Sequence, residues 1–315
     1  MTTNPHQSKE FKLVIAGLDN AGKTSALIAL RQKYNFYERV KNLKPTINID
    51  YSSFKFLNTY RINLWDMGGQ KKFRKIYLTN PVYFYETDYI YYLIDIQDEL
   101  KFEESVEYLH ELLDIYRDLN YENEIIICFN KFDPKFKNDE DYLDRAKMIT
   151  NLILSSQNND FKFKFFNTSY YDISSISQAF SYSLNTMLHL KEIDAVLNRF
   201  VNNYNCNHAI LYTDTGLIIS DHYMEAMDTR EFEEKISNKL NDDLEFFQRI
   251  KDEKVDISDR TVFSNAKTYY VRKFLVEIEN VENVFYVGIS TLRNNFSAIK
   301  NELNDFQSVL LRNLA

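Results

Sequence analysis

The chain has 315 residues, 44% of them apolar and 27% charged, with a formal net charge of −8. That length suits two domains, that apolar share is too high for a disordered chain, and the acidic balance excludes a sequence-independent nucleic-acid binder, which needs a basic face. Two cysteines, Cys128 and Cys206, are too few for a disulfide framework and lack metal-type neighbours, so both read as small buried residues in a reducing cytosol. No apolar run approaches the roughly 20 residues of a membrane span. The polar start is not a signal peptide, no glycine follows Met1 for acylation, and the end carries no prenylation cysteine, so no direct lipid anchor is expected and a membrane would be reached only through a partner.

In chain order, the run Leu13-Val14-Ile15-Ala16 predicts a buried strand and Ser25–Leu30 a helix. Between them Gly17-Leu18-Asp19-Asn20-Ala21-Gly22-Lys23-Thr24 fits G-x-x-x-x-G-K-[ST], the phosphate-binding loop. Gly17 and Gly22 let the backbone curl so that the N–H groups of Asp19 through Ser25 turn inward at phosphate oxygens, where the new helix also offers its N-terminal dipole. Lys23 adds a mobile cation, and the Thr24 hydroxyl suits Mg²⁺.

The helix is expected to end near Lys33, followed by a linker to Pro45-Thr46, where Thr46 can add a second hydroxyl to Mg²⁺ when a γ-phosphate is present. Ile47 to Phe56 and Tyr60 to Trp65 read as a hairpin about Leu57-Asn58-Thr59, ending at Asp66-Met67-Gly68-Gly69-Gln70. Asp66 is placed to hold Mg²⁺ through water, Gly69 to bring its N–H to a γ-phosphate, and Gln70 to orient an attacking water. Asp88 to Asp95 predicts a buried central strand, followed by a helix with Val106, Leu109, Leu113 and Tyr116 on one face. Ile125 to Phe129 is a further strand, and it ends in Asn130-Lys131-Phe132-Asp133. A carboxylate there accepts from guanine N1–H and N2, donors that adenine lacks. Asn130 can tie this loop to the phosphate loop, and the Lys131 stem can cover the base. A last strand, Phe161 to Phe166, leads to Thr168-Ser169-Tyr170, whose backbone N–H groups are candidates for guanine O6. Six strands alternating with helices, each candidate loop following a strand, predict an α/β, doubly wound, mostly parallel sheet.

In the second half, Glu192 to Tyr204 is an amphipathic helix. Ala209–Tyr212 and Leu217–Ile219 form a hairpin about Asp214-Thr215-Gly216. Thr229 caps a polar helix to about Glu253, Tyr269–Ile278 and Val284–Ser290 form a second hairpin about Glu279–Asn283, and a helix carries Phe296, Ile299, Leu303, Phe306 and Leu310. No catalytic cluster stands out there; His208 and His222 read as ordinary hairpin residues.

The first-half motifs resemble those of Ras-superfamily small GTPases over residues 10–190. The wording is nearest to Arf-like proteins in Gly17–Thr24, Pro45-Thr46-Ile47 and Trp65–Gln70. Carried over by position, the resemblance implies that Lys23, Thr24, Thr46, Asp66 and Gln70 serve phosphate, Mg²⁺ and water, and Asn130, Lys131 and Asp133 serve guanine. Two departures stand out. There is no room before Phe11 for the amphipathic N-terminal helix of Arf proteins. Thr168-Ser169-Tyr170-Tyr171-Asp172 and Ala179-Phe180-Ser181 resemble instead Rag/Gtr GTPases, which carry a C-terminal roadblock domain. The order of elements in residues 191–315 resembles that roadblock fold more than a longin fold, giving a smaller α+β dimerisation domain. The resemblance implies a GTP/GDP switch and a homo- or heterodimer, served by a GTPase-activating protein, an exchange factor and effectors; with Leu43 and Lys44 where an arginine in cis would precede Thr46, slow intrinsic hydrolysis is expected, and the expected location is cytoplasmic. The rival is a scaffold in which GTP is structural and the C-terminal domain assembles a complex; an intact Gln70 and Thr46 speak against it.

Overall fold

A computed structural model describes residues 10–31, 43–56, 60–155, 160–187, 191–214, 218–223, 242–243, 245–250, 252–254, 257–264, 266–278 and 281–314. The chain divides between Ala179 and Phe180 into two compact units.

The first unit holds β1 (Glu10–Ala16), α1 (Lys23–Arg31), β2 (Ile49–Phe56), β3 (Tyr60–Met67), α2 (Lys71–Leu78), β4 (Tyr89–Asp95), α3 (Phe102–Asp118), β5 (Ile125–Asn130), α4 (Glu140–Ser155) and β6 (Phe163–Thr168), and α5 (Ile173–Met187) begins in it. Its six strands lie in the order β2-β3-β1-β4-β5-β6. Every pairing is parallel except β2 with β3. This is the predicted mostly parallel sheet, with one antiparallel edge strand. Continuous apolar runs mark strands covered on both faces, and β4 and β5 obey that rule: every residue from Tyr89 to Ile94 and from Ile125 to Asn130 is buried. The tyrosines of β4 keep partners inside, as where Tyr92 donates to Ser105 O of α3 at 2.7 Å. β2 starts at Ile49, two residues later than expected, because Asn48 has φ 59° and a left-handed residue cannot continue a strand. The predicted turn at Leu57–Thr59 and the helix end near Lys33 lie outside the described residues.

The second unit holds α6 (Lys191–Asn203), β7 (Cys206–Thr213), β8 (Ile218–Tyr223), β9 (Asp259–Phe263), β10 (Lys267–Ile278), β11 (Val281–Leu292) and α7 (Phe296–Leu314). The sheet order is β8-β7-β11-β10-β9, all antiparallel. Helices α6 and α7 pack together, with the Phe200 and Phe306 rings 4.5 Å apart. Alternate residues face the other way: Tyr212, Tyr269 and Tyr286 share a cluster with Phe247. On that side the buried Asp243 accepts from Tyr269 Oη at 2.7 Å and Arg260 at 2.9 Å.

Two expectations need correction here. Strand β9 was not foreseen, because Asp259–Phe263 has only two apolar residues and they are adjacent, as suits an edge strand with one neighbour. The β10–β11 ladder runs on to Ile278↔Val281, so Asn283 is a strand residue opposite Val276 and not part of a turn. The hairpin tip at Thr215-Gly216 and the cap at Thr229 lie outside the described residues, while 242–243 and 245–250 are helical as expected. Both cysteines are free and buried, and burial pushes each thiol up to about 12.

Candidate nucleotide-binding site

The site is built at the carboxyl ends of β1, β3, β4, β5 and β6, where a doubly wound sheet offers its crevice. The Gly17–Thr24 loop leaves β1 and closes into α1 through Ala26 N–H donating to Gly22 O at 2.9 Å. Gly22 sits at φ 83°, and a Cβ there would meet Asn130 Nδ2 at 2.3 Å, so both conformation and space demand glycine. The Lys23 ammonium is buried and donates to Gly17 O at 3.0 Å and Leu18 O at 2.7 Å. Burial pushes it down to about 8, against the pull of Asp66 and Asp19.

Three oxygens from separate elements meet beside that lysine. Thr24 Oγ1, on α1, lies 2.5 Å from Asp66 Oδ2, near the end of β3, and 2.8 Å from Thr46 Oγ1. Thr46 Oγ1 is 3.5 Å from the same Asp66 oxygen. Burial pushes the Asp66 carboxyl up, against Lys23 and the threonine hydroxyls. Asp66 Oδ1 is buried with no hydrogen-bond partner. A buried carboxylate with an uncommitted oxygen, beside two hydroxyls, is a hard-oxygen set that suits Mg²⁺. The residues therefore fit the ion.

A cavity of about 260 Å³ opens over this set, lined among others by Asp19, Lys23, Thr24, Thr46, Gly69 and Gln70. Gly69 O accepts from Asp19 N–H at 3.1 Å, and a Cβ on Gly69 would meet the Leu18–Asp19 backbone at 2.3 Å. Gln70 stands just before α2 with its side chain free of any capping bond. Asn20, Ser25, Leu43, Lys44 and Pro45 also line the cavity, whereas Ala21 is buried beneath the loop. Arg74 was not foreseen. Arg74, on α2 and buried, donates to Gly69 O at 2.9 Å, pairs with Glu104 of α3 and lies over the Tyr108 ring. It holds the Gly69–Gln70 segment against α3. The sequence signal available was one cation among four in the run Lys71-Lys72-Phe73-Arg74-Lys75, which by itself names no partner.

The loop after β5 is tied to the phosphate loop. Asn130, buried, donates from Nδ2 to Ala21 O at 2.7 Å and accepts at Oδ1 from Thr168 Oγ1 at 3.1 Å. Lys131 sits at φ 60° with its ammonium 2.6 Å from Asp95 Oδ2. Asp133 presents its carboxylate with Ser169 Oγ 2.7 Å from Oδ1. The Ser169 backbone N–H, expected for guanine O6, here donates to Ser175 Oγ at 3.0 Å, while its hydroxyl donates to the Asp133 carboxylate. Tyr170 is half-buried next to it. Thus the structure gathers Lys23, Thr24, Thr46, Asp66, Gly69 and Gln70 in one group and Asn130, Lys131, Asp133 and Ser169 in another, joined by the bond from Asn130 to Ala21 O.

Comparison with known proteins places the chain beside G proteins. Residues 12–240 match the family model described as Gtr1/RagA G protein conserved region. The chain is 34% identical over 97 residues to an ADP-ribosylation factor-like protein 2 of Drosophila melanogaster, covering 31% of this chain and 48% of that protein. It is 36% identical over 92 residues to the protein of the same name from Dictyostelium discoideum, covering 29% and 45%. The chain spans about half the length of the curated relatives it matches. Among solved structures, the Arl6 BBS3 small GTPase from Trypanosoma brucei with bound GppNp matches at a TM-score of 0.45 and 20% identity, covering 56% of this chain and 97% of that chain.

Proposed function

The chain belongs to the Gtr1/RagA family of G proteins, and on that premise we propose a guanine-nucleotide switch that binds GTP or GDP with Mg²⁺ and hydrolyses GTP slowly. The observation that carries the reading is the meeting of the Thr24, Thr46 and Asp66 oxygens, which joins the linker before β2 to the phosphate loop. Loop N–H groups and Lys23 hold the phosphates. Thr24 and Thr46, with Asp66 through water, would hold Mg²⁺, which when bound neutralises charge on the phosphate oxygens. Thr46 and Gly69 fasten to the γ-phosphate side, so their segments are ordered by GTP and released by hydrolysis. Gln70 orients the attacking water. Asn130, Lys131, Asp133 and Ser169, with Tyr170 beside them, read the base. Leu43 and Lys44 stand where an arginine in cis would precede Thr46, so turnover of the isolated chain is slow and a partner supplies charge in trans.

Single-turnover hydrolysis by the purified chain tests this. Slow release of phosphate, slowed at least a further tenfold by Gln70→Leu while GTP is still bound, is expected. GTP that stays intact for hours in wild type would favour the scaffold reading instead, and tighter ATP than GTP binding would remove the guanine assignment.

For the second unit we propose a roadblock-like dimerisation role, in a chain that works in the cytoplasm alongside an exchange factor, an activating protein and effectors. Its sheet ends in β9, where Val262 and Phe263 are exposed large apolar side chains on an edge strand. Light scattering should give twice the chain mass, or a pair with a related chain, and Val262→Lys should shift it to a single chain. A monomer that takes up no related chain would end the dimer proposal.

A further inference from the structure

We propose that Gln97 is the positioning residue that fixes the plane of the Asp133 carboxylate and so decides how strictly the site reads the 2-amino group of guanine. The inference rests on the guanine reading above and goes beyond it to a residue outside every motif of the nucleotide site.

Gln97 lies in the turn that follows β4. Its Nε2 is 2.7 Å from Lys131 O and 3.0 Å from Asp133 Oδ2. Both neighbours are acceptors, so the amide must turn its NH₂ toward them, and its two protons are spent on the base-reading loop. The backbone of Gln97 is itself anchored: its N–H donates to Asp95 Oδ1 at 3.0 Å, while Asp95 Oδ2 takes the Lys131 ammonium at 2.6 Å. Lys131 is in the left-handed region at φ 60°, a conformation that a non-glycine residue keeps only when its surroundings hold it. Gln97 caps the carbonyl of that residue. On the far side of the carboxylate, Ser169 Oγ donates to Oδ1 at 2.7 Å and is steadied by Tyr171 N–H at 3.1 Å. Asp133 is therefore gripped at both oxygens by donors from two different loops.

The consequence is geometric. Each carboxylate oxygen has a second lone pair for a ligand. Guanine offers two parallel donors, N1–H and N2–H, and a two-pronged contact needs the carboxylate plane fixed beforehand. Hypoxanthine offers N1–H alone, and a single bond can follow a carboxylate that turns. Loss of Gln97 should therefore weaken guanine nucleotides more than inosine nucleotides, narrowing the preference between them.

The test uses the full chain with fluorescent GDP, displaced by GDP, IDP or ADP, in wild type, Gln97→Leu and Gln97→Glu. Gln97→Glu keeps the shape of the side chain but removes its donors. Both variants should speed GDP dissociation about tenfold, about 1.4 kcal/mol, and lower the GDP-to-IDP affinity ratio several-fold. GDP dissociation within twofold of wild type, or equal weakening of GDP and IDP, would overturn the proposal, since a merely structural support weakens both alike. Thermal unfolding of the same samples identifies a variant that has failed to fold; Ser169→Ala, which loosens the other carboxylate oxygen, must then narrow the same ratio for the gripped-carboxylate argument to stand. The wild-type control separates this inference from the reading beneath it: no preference for GDP over ADP in wild type would sink the guanine assignment itself.

Discussion

Asn130→Ala should do more damage than its size suggests. The side chain removed is small, but it is the joint between the Gly17–Thr24 loop and the loop after β5 that is proposed to read the base. Its loss leaves Ala21 O without its 2.7 Å donor and Thr168 Oγ1 without its 3.1 Å acceptor, both at a buried position. An orphaned buried polar group costs about 1–3 kcal/mol. Thr168 also bonds to Cys128, so its share falls at the low end. The sum is about 2–4 kcal/mol, which for a unit of this size lowers the melting temperature by about 5–15 °C. Because the joint links two halves of one ligand site, GDP dissociation should quicken at least tenfold as well. Asn130→Asp keeps the acceptor for Thr168 but sets a carboxylate against the Ala21 carbonyl, and should be no milder. Thermal unfolding without nucleotide, and displacement of fluorescent GDP, read the two effects separately. A melting temperature within about 2 °C of wild type, with unchanged GDP dissociation, would refute the claim that this residue couples the loops.

Two further perturbations test the surroundings. Arg74→Ala removes the donor to Gly69 O and the partner of Glu104; because Glu104 is partly solvated the cost is about 1–3 kcal/mol, seen in the denaturant midpoint, and amide exchange should rise selectively over residues 68–78. Lys12 packs over the Trp65 ring and donates to Tyr83 O and Tyr85 O at 2.8 Å each, while burial pushes its ammonium down to about 8 against Glu86 and Asp88. The unfolded chain then binds more protons than the folded one between about pH 8 and the ordinary lysine value, so this group makes stability rise with pH across that window. Denaturant midpoints at pH 7.5 and 9.5 should show this rise in wild type and less of it in Lys12→Met; parallel behaviour of the two would contradict it.

What could be read in advance was whatever is local. The phosphate loop, the Asp66–Gln70 run and Asn130–Asp133 are short continuous patterns at strand ends, and the buried strands β4 and β5 announce themselves by unbroken apolar runs. What stayed hidden depends on partners distant in the chain. Gln97 meets Asp133 and Lys131 across 34 to 36 positions, and Arg74 meets Glu104 across 30; neither carries a local mark. Strand β9 escaped for a related reason. An edge strand has one neighbour and little to bury, so nothing forces its residues to alternate.

The glycines show how the structure changes even a correct local reading. The chain has six, and Gly17, Gly22, Gly68 and Gly69 crowd into two loops, which by itself argues for backbone freedom. For Gly22 that argument holds, since its φ is 83°. For Gly69 it does not: its φ is outside the left-handed region, and what excludes a side chain is the Leu18–Asp19 backbone 2.3 Å from where a Cβ would stand. Gly69→Ala should therefore leave the conformation of residue 69 accessible but force the segment away from the phosphate loop. The Asp19 N–H to Gly69 O bond at 3.1 Å would break, and Arg74 would lose its hold on the same carbonyl. A glycine required by its neighbour, not by its own dihedral, makes the close approach of the two loops the feature on which the proposed γ-phosphate contact depends.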